Sequence, residues 1–158
     1  MAAAVSGSPL SGKTVYFPAM SEAGVRVIAA AFRSVGIDAR SMPPSDEETM
    51  VLGGRHSSGE ECLPLKVTLG DALKLLVHGE IEPDRMALFM PTSDGPCRFG
   101  QYGPFINGVL KEMGFDGVTV VSPTCEDGYS GIGEHADELL RTAWRAMIAG
   151  ELLTKLLL

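Results

Sequence analysis

The run Met86-Ala87-Leu88-Phe89-Met90 constrains the fold of this chain most. It sets five apolar residues side by side between Arg85 and Pro91, so neither face of the segment is polar. A strand of that kind is covered on both sides, as in a parallel sheet held between layers of helices. Val15-Tyr16-Phe17, stopped by Pro18, reads the same way, as does Val118-Thr119-Val120-Val121. A shorter strand is expected near Ala39 to Met42, ahead of Pro43-Pro44.

Helical patterns fill the intervals. Ser21 is suited to cap a helix whose apolar residues Val25, Ile28, Ala29, Phe32 and Val35 repeat at helical spacing, with Gly36 at its end. Leu65, Leu69, Leu73, Leu76 and Val77 mark another, ending at Gly79; Pro64 suits its first turn and puts Cys62 at or just before the N-terminus. A third carries Phe105, Ile106, Val109, Leu110 and Met113, and a last one runs from about Glu134. From Ser45 to about Glu61 the chain reads as a long polar loop with Gly53-Gly54 in it, save for a short helix near Glu47 to Leu52. Strands alternating with helices predict an α/β protein, a three-layer Rossmann/flavodoxin-like domain with a mainly parallel sheet of about four strands.

The 158 residues suffice for one domain. Residues 1–12 are small and polar and are expected to be a flexible lead-in to a domain over 13–158. The net charge of −7 argues against a nucleic-acid partner, which needs clustered cations. No segment reads as membrane-spanning or as a secretory leader, so a cytoplasmic location is expected. Trp144 is assigned to the core. The terminal leucines Leu152, Leu153, Leu156, Leu157 and Leu158 need a surface to pack on, which suggests a fragment of a larger protein, a partner subunit or a homodimer through the last helix.

Chemistry is expected at the cysteines. Loops leaving the carboxyl ends of parallel strands share one edge of the sheet, where ligands bind. Cys62, Cys97 and Cys125 all fall in such loops, among Gly, Pro and polar residues. Metal or cluster binding, a redox or nucleophilic thiol, and inert thiols are all open. Structural zinc favours four ligands and tight cysteine pairs, which are absent, although His56 could supply a fourth ligand. A four-iron cluster on three cysteines leaves one iron open to another ligand. Glu60, Glu61 and Asp94 flank the cysteines and could move protons. Arg98 could pair with an anionic cluster or a CoA phosphate, and Gln101 and Tyr102 could contact a ligand.

Ser58-Gly59-Glu60-Glu61-Cys62-Leu63-Pro64 followed by Thr68-Leu69-Gly70-Asp71, and Met90-Pro91-Thr92 followed by Gly95-Pro96-Cys97-Arg98-Phe99-Gly100-Gln101-Tyr102, resemble the 2-hydroxyacyl-CoA dehydratase superfamily. They are most similar to the dehydratase-like region of CoA-substrate-specific enzyme activases. The resemblance implies a [4Fe-4S] cluster on Cys62 and Cys97, with Cys125 as third ligand, serving one-electron transfer in anaerobic metabolism. It implies partners among the domains of a dehydratase/activase system, and an acyl-CoA as a candidate ligand. The chain carries neither a second α/β domain nor an ATPase domain, so it is expected not to act as a catalyst alone. The alternative is a cluster-free assembly domain. Gly7-Ser8-Pro9-Leu10-Ser11-Gly12-Lys13-Thr14 also fits the P-loop pattern, but a P-loop needs a helix directly after it, and a strand is expected there.

Overall fold

The computed structural model describes residues 10–92, 95–124, 132 and 136–157. Four strands, β1 (Thr14–Phe17), β2 (Ala39–Ser41), β3 (Met86–Phe89) and β4 (Thr119–Val121), form an all-parallel sheet in the order β2-β1-β3-β4. Val15 lies opposite Ala39 on one side and Ala87 on the other, and Ala87 lies opposite Thr119. Among the described residues five α-helices accompany the sheet: α1 (Glu22–Ser34), α2 (Glu47–Arg55), α3 (Leu63–Val77), α4 (Tyr102–Glu112) and α5 (Ala136–Leu157). The architecture is the three-layer α/β arrangement expected of a Rossmann/flavodoxin-like fold.

Alternation along the strands assigns each side chain to a layer. Tyr16, Met86 and Leu88 face α3 and α4, joining Leu69, Leu73, Ile106 and Leu110. Val15, Phe17, Ala39 and Ala87 face α1 and α5, joining Ala29, Phe32 and Leu139. On this second side Phe17, Phe32 and Phe89 meet ring to ring, with centroids 4.9–5.4 Å apart. Leu10 also packs here, so the buried part of the chain reaches back into the expected lead-in.

Two local readings change. First, Gly53 is not in a loop. It lies in α2, a helix nucleated by a reciprocal cap in which Asp46 accepts from the Thr49 backbone N–H at 3.0 Å and the Thr49 hydroxyl accepts from the Asp46 N–H at 3.3 Å. A Cβ on Gly53 would collide with the Lys66 carbonyl oxygen, and one on Gly70 with the Thr49 carbonyl oxygen. The two glycines let α2 and α3 touch backbone to backbone. Second, Trp144 is not core: it is 63% exposed. The face of α5 turned inward carries Ala136, Leu139, Ala143 and Gly150, and a Cβ on Gly150 would meet Val27 of α1 at 3.4 Å. Small residues let α5 lie close to α1, and Trp144, Ile148, Leu152 and Leu156 are left on the outer face.

As expected, Lys13 of the P-loop-like stretch does not precede a helix. It enters β1, and its ammonium donates to the Asp84 and Gly117 carbonyls at 2.7 and 2.8 Å. Both carbonyls belong to segments entering β3 and β4, at the amino edge of the sheet and away from its ligand-binding edge. No helix of the described residues is long and apolar enough to cross a membrane.

Candidate functional site at the carboxyl edge

Cys62 is the residue on which α3 begins. Its backbone is extended, its carbonyl accepts from the Leu65 N–H at 3.1 Å, and Pro64 follows in the first helical turn. The side chain is exposed at the positive end of the α3 dipole, where anionic sulfur is favoured. Cys97 occupies the matching place ahead of a single 3₁₀ turn, Arg98–Gln101, that runs straight into α4. It too is exposed. Each cysteine thus stands at a helix entrance on the same edge of the sheet.

Tyr102 links them. It is buried, held edge-on against Phe99 with ring centroids 5.1 Å apart, and its hydroxyl lies 2.6 Å from the Cys62 sulfur. That hydrogen bond is the chief reason the Cys62 thiol ionises more easily than an ordinary thiol. The Leu65 backbone N–H and the Arg98 guanidinium act the same way, against a smaller cost of burial. Burial, followed by the hydrogen bond to Cys62 and the charges of Cys62 and Cys97, pushes the Tyr102 hydroxyl up to about 12. Tyr102 therefore stays protonated and donates to a thiolate at position 62.

The remaining expected residues divide. Arg98 donates to the Glu60 carbonyl at 3.3 Å, tying the 3₁₀ turn to the segment before Cys62. Gln101, Arg98 and Tyr102 share with Cys62 and Glu61 a concavity of about 250 Å³. Glu61 turns inward on its own loop, accepting from the Ser58 hydroxyl at 2.9 Å and the Gly59 N–H at 3.1 Å. Bonds from its own backbone N–H and those of Ser58 and Gly59 outweigh desolvation and hold its carboxyl at about 2, so it is a poor proton carrier near neutrality. His56 ends α2 and joins no cluster of donors among the described residues. Asp94 and Cys125 lie outside the described residues. Thr124, the residue before Cys125, bridges Thr92 in parallel beyond the ends of β3 and β4, so the chain enters that loop at the carboxyl edge.

Two exposed thiols at helix starts, one of them prone to ionise, suit a thiolate-ligated metal or cluster. They amount to two donors, and among the described residues no group of three or more His, Cys, Asp or Glu is placed to hold an ion. The third cysteine decides whether the set closes.

One group of polar residues had no sequence signal that pointed to it. Asp71, in the middle of α3, is 1% exposed and accepts from the Ser45 hydroxyl at 2.8 Å and the Thr49 hydroxyl at 2.9 Å. Burial raises its carboxyl above the usual range, against the two hydroxyl bonds and Lys74. One turn on, Lys74 reaches Asp46 at 3.0 Å. The partners are 22–28 residues apart in sequence, beyond any local motif.

The order β2-β1-β3-β4 makes the junction of β1 and β3 the point where the chain reverses direction across the sheet, and helices leave it on opposite faces. The class this defines is a parallel α/β domain with a cysteine-bearing edge beside its switch point. No family model, curated protein or solved structure matches the chain.

Proposed function

We propose that this chain is an iron–sulfur-binding domain of the kind found in 2-hydroxyacyl-CoA dehydratases and their activase-associated proteins, with Cys62, Cys97 and Cys125 as ligands. The observation that carries the reading is that Cys62 and Cys97 each stand exposed at a helix entrance on one edge of the sheet, with the Tyr102 hydroxyl 2.6 Å from the Cys62 sulfur. Bound there, a four-iron cluster would supply one-electron chemistry. The N–H groups opening α3 and α4 would offset the negative charge of the thiolates, and the Tyr102 hydroxyl would donate to the Cys62 sulfur. Arg98, held by Glu60, would add a positive charge beside the thiolates.

Protein purified and reconstituted without oxygen is expected to be brown, to absorb near ~400 nm and to contain iron and sulfide in equal amounts. Serine at position 62 or 97 should abolish the colour and serine at position 125 should weaken or abolish it. Colourless, iron-free protein under these conditions would overturn the proposal.

A second reading, a cluster-free assembly domain, is favoured by the outer face of α5. Trp144, Ile148, Leu152 and Leu156 lie four residues apart there and are 57–81% exposed. An apolar stripe of this kind on a surface helix commonly meets another protein surface. Sedimentation of the wild type against Ile148→Lys/Leu152→Lys tests it: concentration-dependent association lost in the double variant supports this reading, and a wild type that stays monomeric removes it.

A further inference from the structure

A second cavity, of about 320 Å³, opens between the β1–α1 loop and the first turns of α3. Pro18 and Met20 wall it on one side and Leu63 and Val67 on the other. Two polar residues from consecutive turns of α3, Thr68 and Asp71, also line it, and they are 2% and 1% exposed. The Asp71 carboxylate receives one hydroxyl on each oxygen, which leaves each oxygen a further lone pair.

Thr68 differs. Among the described residues its hydroxyl forms no hydrogen bond, and no fully enclosed polar side-chain atom lacks a partner. Both statements hold only if the hydroxyl keeps contact with the cavity. A hydroxyl placed in this way is free to bond to an occupant of the cavity. Positions 64, 67, 68 and 71 recur at helical spacing and so face the same space.

We propose that this cavity is a binding site for a small, mainly apolar molecule with a neutral head that both donates and accepts a hydrogen bond, such as an aliphatic alcohol. The head accepts from the Thr68 hydroxyl and donates to Asp71, while the apolar body rests on Pro18, Met20, Leu63 and Val67. A cation is the poorer fit, because the Lys74 ammonium already acts on Asp71. A carboxylate is excluded by the charge of Asp71. The site needs no iron, so it stands or falls apart from the cluster.

Cyclohexanol is a suitable probe, titrated into the full chain with the methyl groups of Ala19, Met20 and Val67 observed by NMR. Cyclohexanone, which accepts but cannot donate, is the control. Shifts at these methyls should saturate with cyclohexanol, and affinity should fall about tenfold for cyclohexanone and for Thr68→Val. Thr68→Ser, which keeps the hydroxyl, should restore binding. Unchanged thermal unfolding of Thr68→Val establishes that the fold survives. The proposal is overturned if the methyls do not respond, if the ketone binds as well as the alcohol, or if a folded Thr68→Val binds like the wild type.

Discussion

Tyr102 and Cys62 are 40 residues apart in sequence, yet the phenol reaches the sulfur and favours its ionised form. A lowered thiol pKa means a larger thiolate fraction at neutral pH and faster alkylation. Tyr102→Phe keeps the ring on Phe99 and removes the donor. At about 1 kcal/mol for one such bond, alkylation of Cys62 by iodoacetamide at pH 7 should slow about fivefold. The rate–pH profile should move to higher pH, and mass spectrometry of the labelled peptide reads it. A profile unchanged by the substitution would show that the phenol does not act on the sulfur. At this scale the positions of Cys62 and Cys97 at helix starts were legible, because each stands among loop residues ahead of an apolar helical repeat. Tyr102 could be placed beside them but not assigned a partner. Asp71 was invisible: an aspartate in a leucine-rich helix has no local mark that Ser45 and Thr49 will enclose it.

The contact between α2 and α3 shows what an element gains from residues without side chains. Alanine in a helix is ordinarily better than glycine by up to about 1 kcal/mol. At Gly54 an added methyl would have nothing within 4 Å, so that rule should hold there and Gly54→Ala is expected to be neutral or slightly stabilising. Gly53→Ala and Gly70→Ala should instead destabilise, by about 1–3 kcal/mol, because the added carbon meets a carbonyl of the facing helix. Denaturant unfolding separates the three, and a stable Gly53→Ala would contradict the backbone contact. The cap of α2 also sets an acid sensitivity. The Thr49 N–H, then Lys74, hold the Asp46 carboxyl down from 3.8 to about 2. The charged carboxylate therefore supports the fold above pH 4, and that support is lost as pH falls through 4 towards 2. Asp71 works in the opposite sense, since burial favours its protonated form. Melting temperatures of wild type and Asp46→Asn should differ at pH 6 and converge near pH 2; a constant gap would rule out this role for Asp46. The glycine pair and the cap lie in the stretch that composition presents as a loop. A nine-residue helix with two glycines has a weak apolar repeat, and its stability comes from α3.

Across the whole molecule, Lys13 and α5 act at places far from the cysteines. Lys13 gathers carbonyls from the approaches to β3 and β4 at the amino edge. Lys13→Met should leave those carbonyls without their donor and cost about 1–3 kcal/mol in unfolding, with no change in nucleotide affinity. A loss of nucleotide binding without a loss of stability would revive the phosphate-loop reading. The layered α/β fold followed from local pattern: apolar runs make two-sided strands, and helical repeats between them force parallel crossovers. Those properties depend on neighbours a few residues away, so sequence alone determined them. Which face α5 turns inward was decided only in three dimensions. Its apolar residues surround much of the helix, and the close approach to Val27 selects the small ones, leaving Trp144 outside. The same holds for the phenol on Cys62 and for the carboxylate held by Ser45 and Thr49. Each depends on groups distant in the chain that meet only when the layers close.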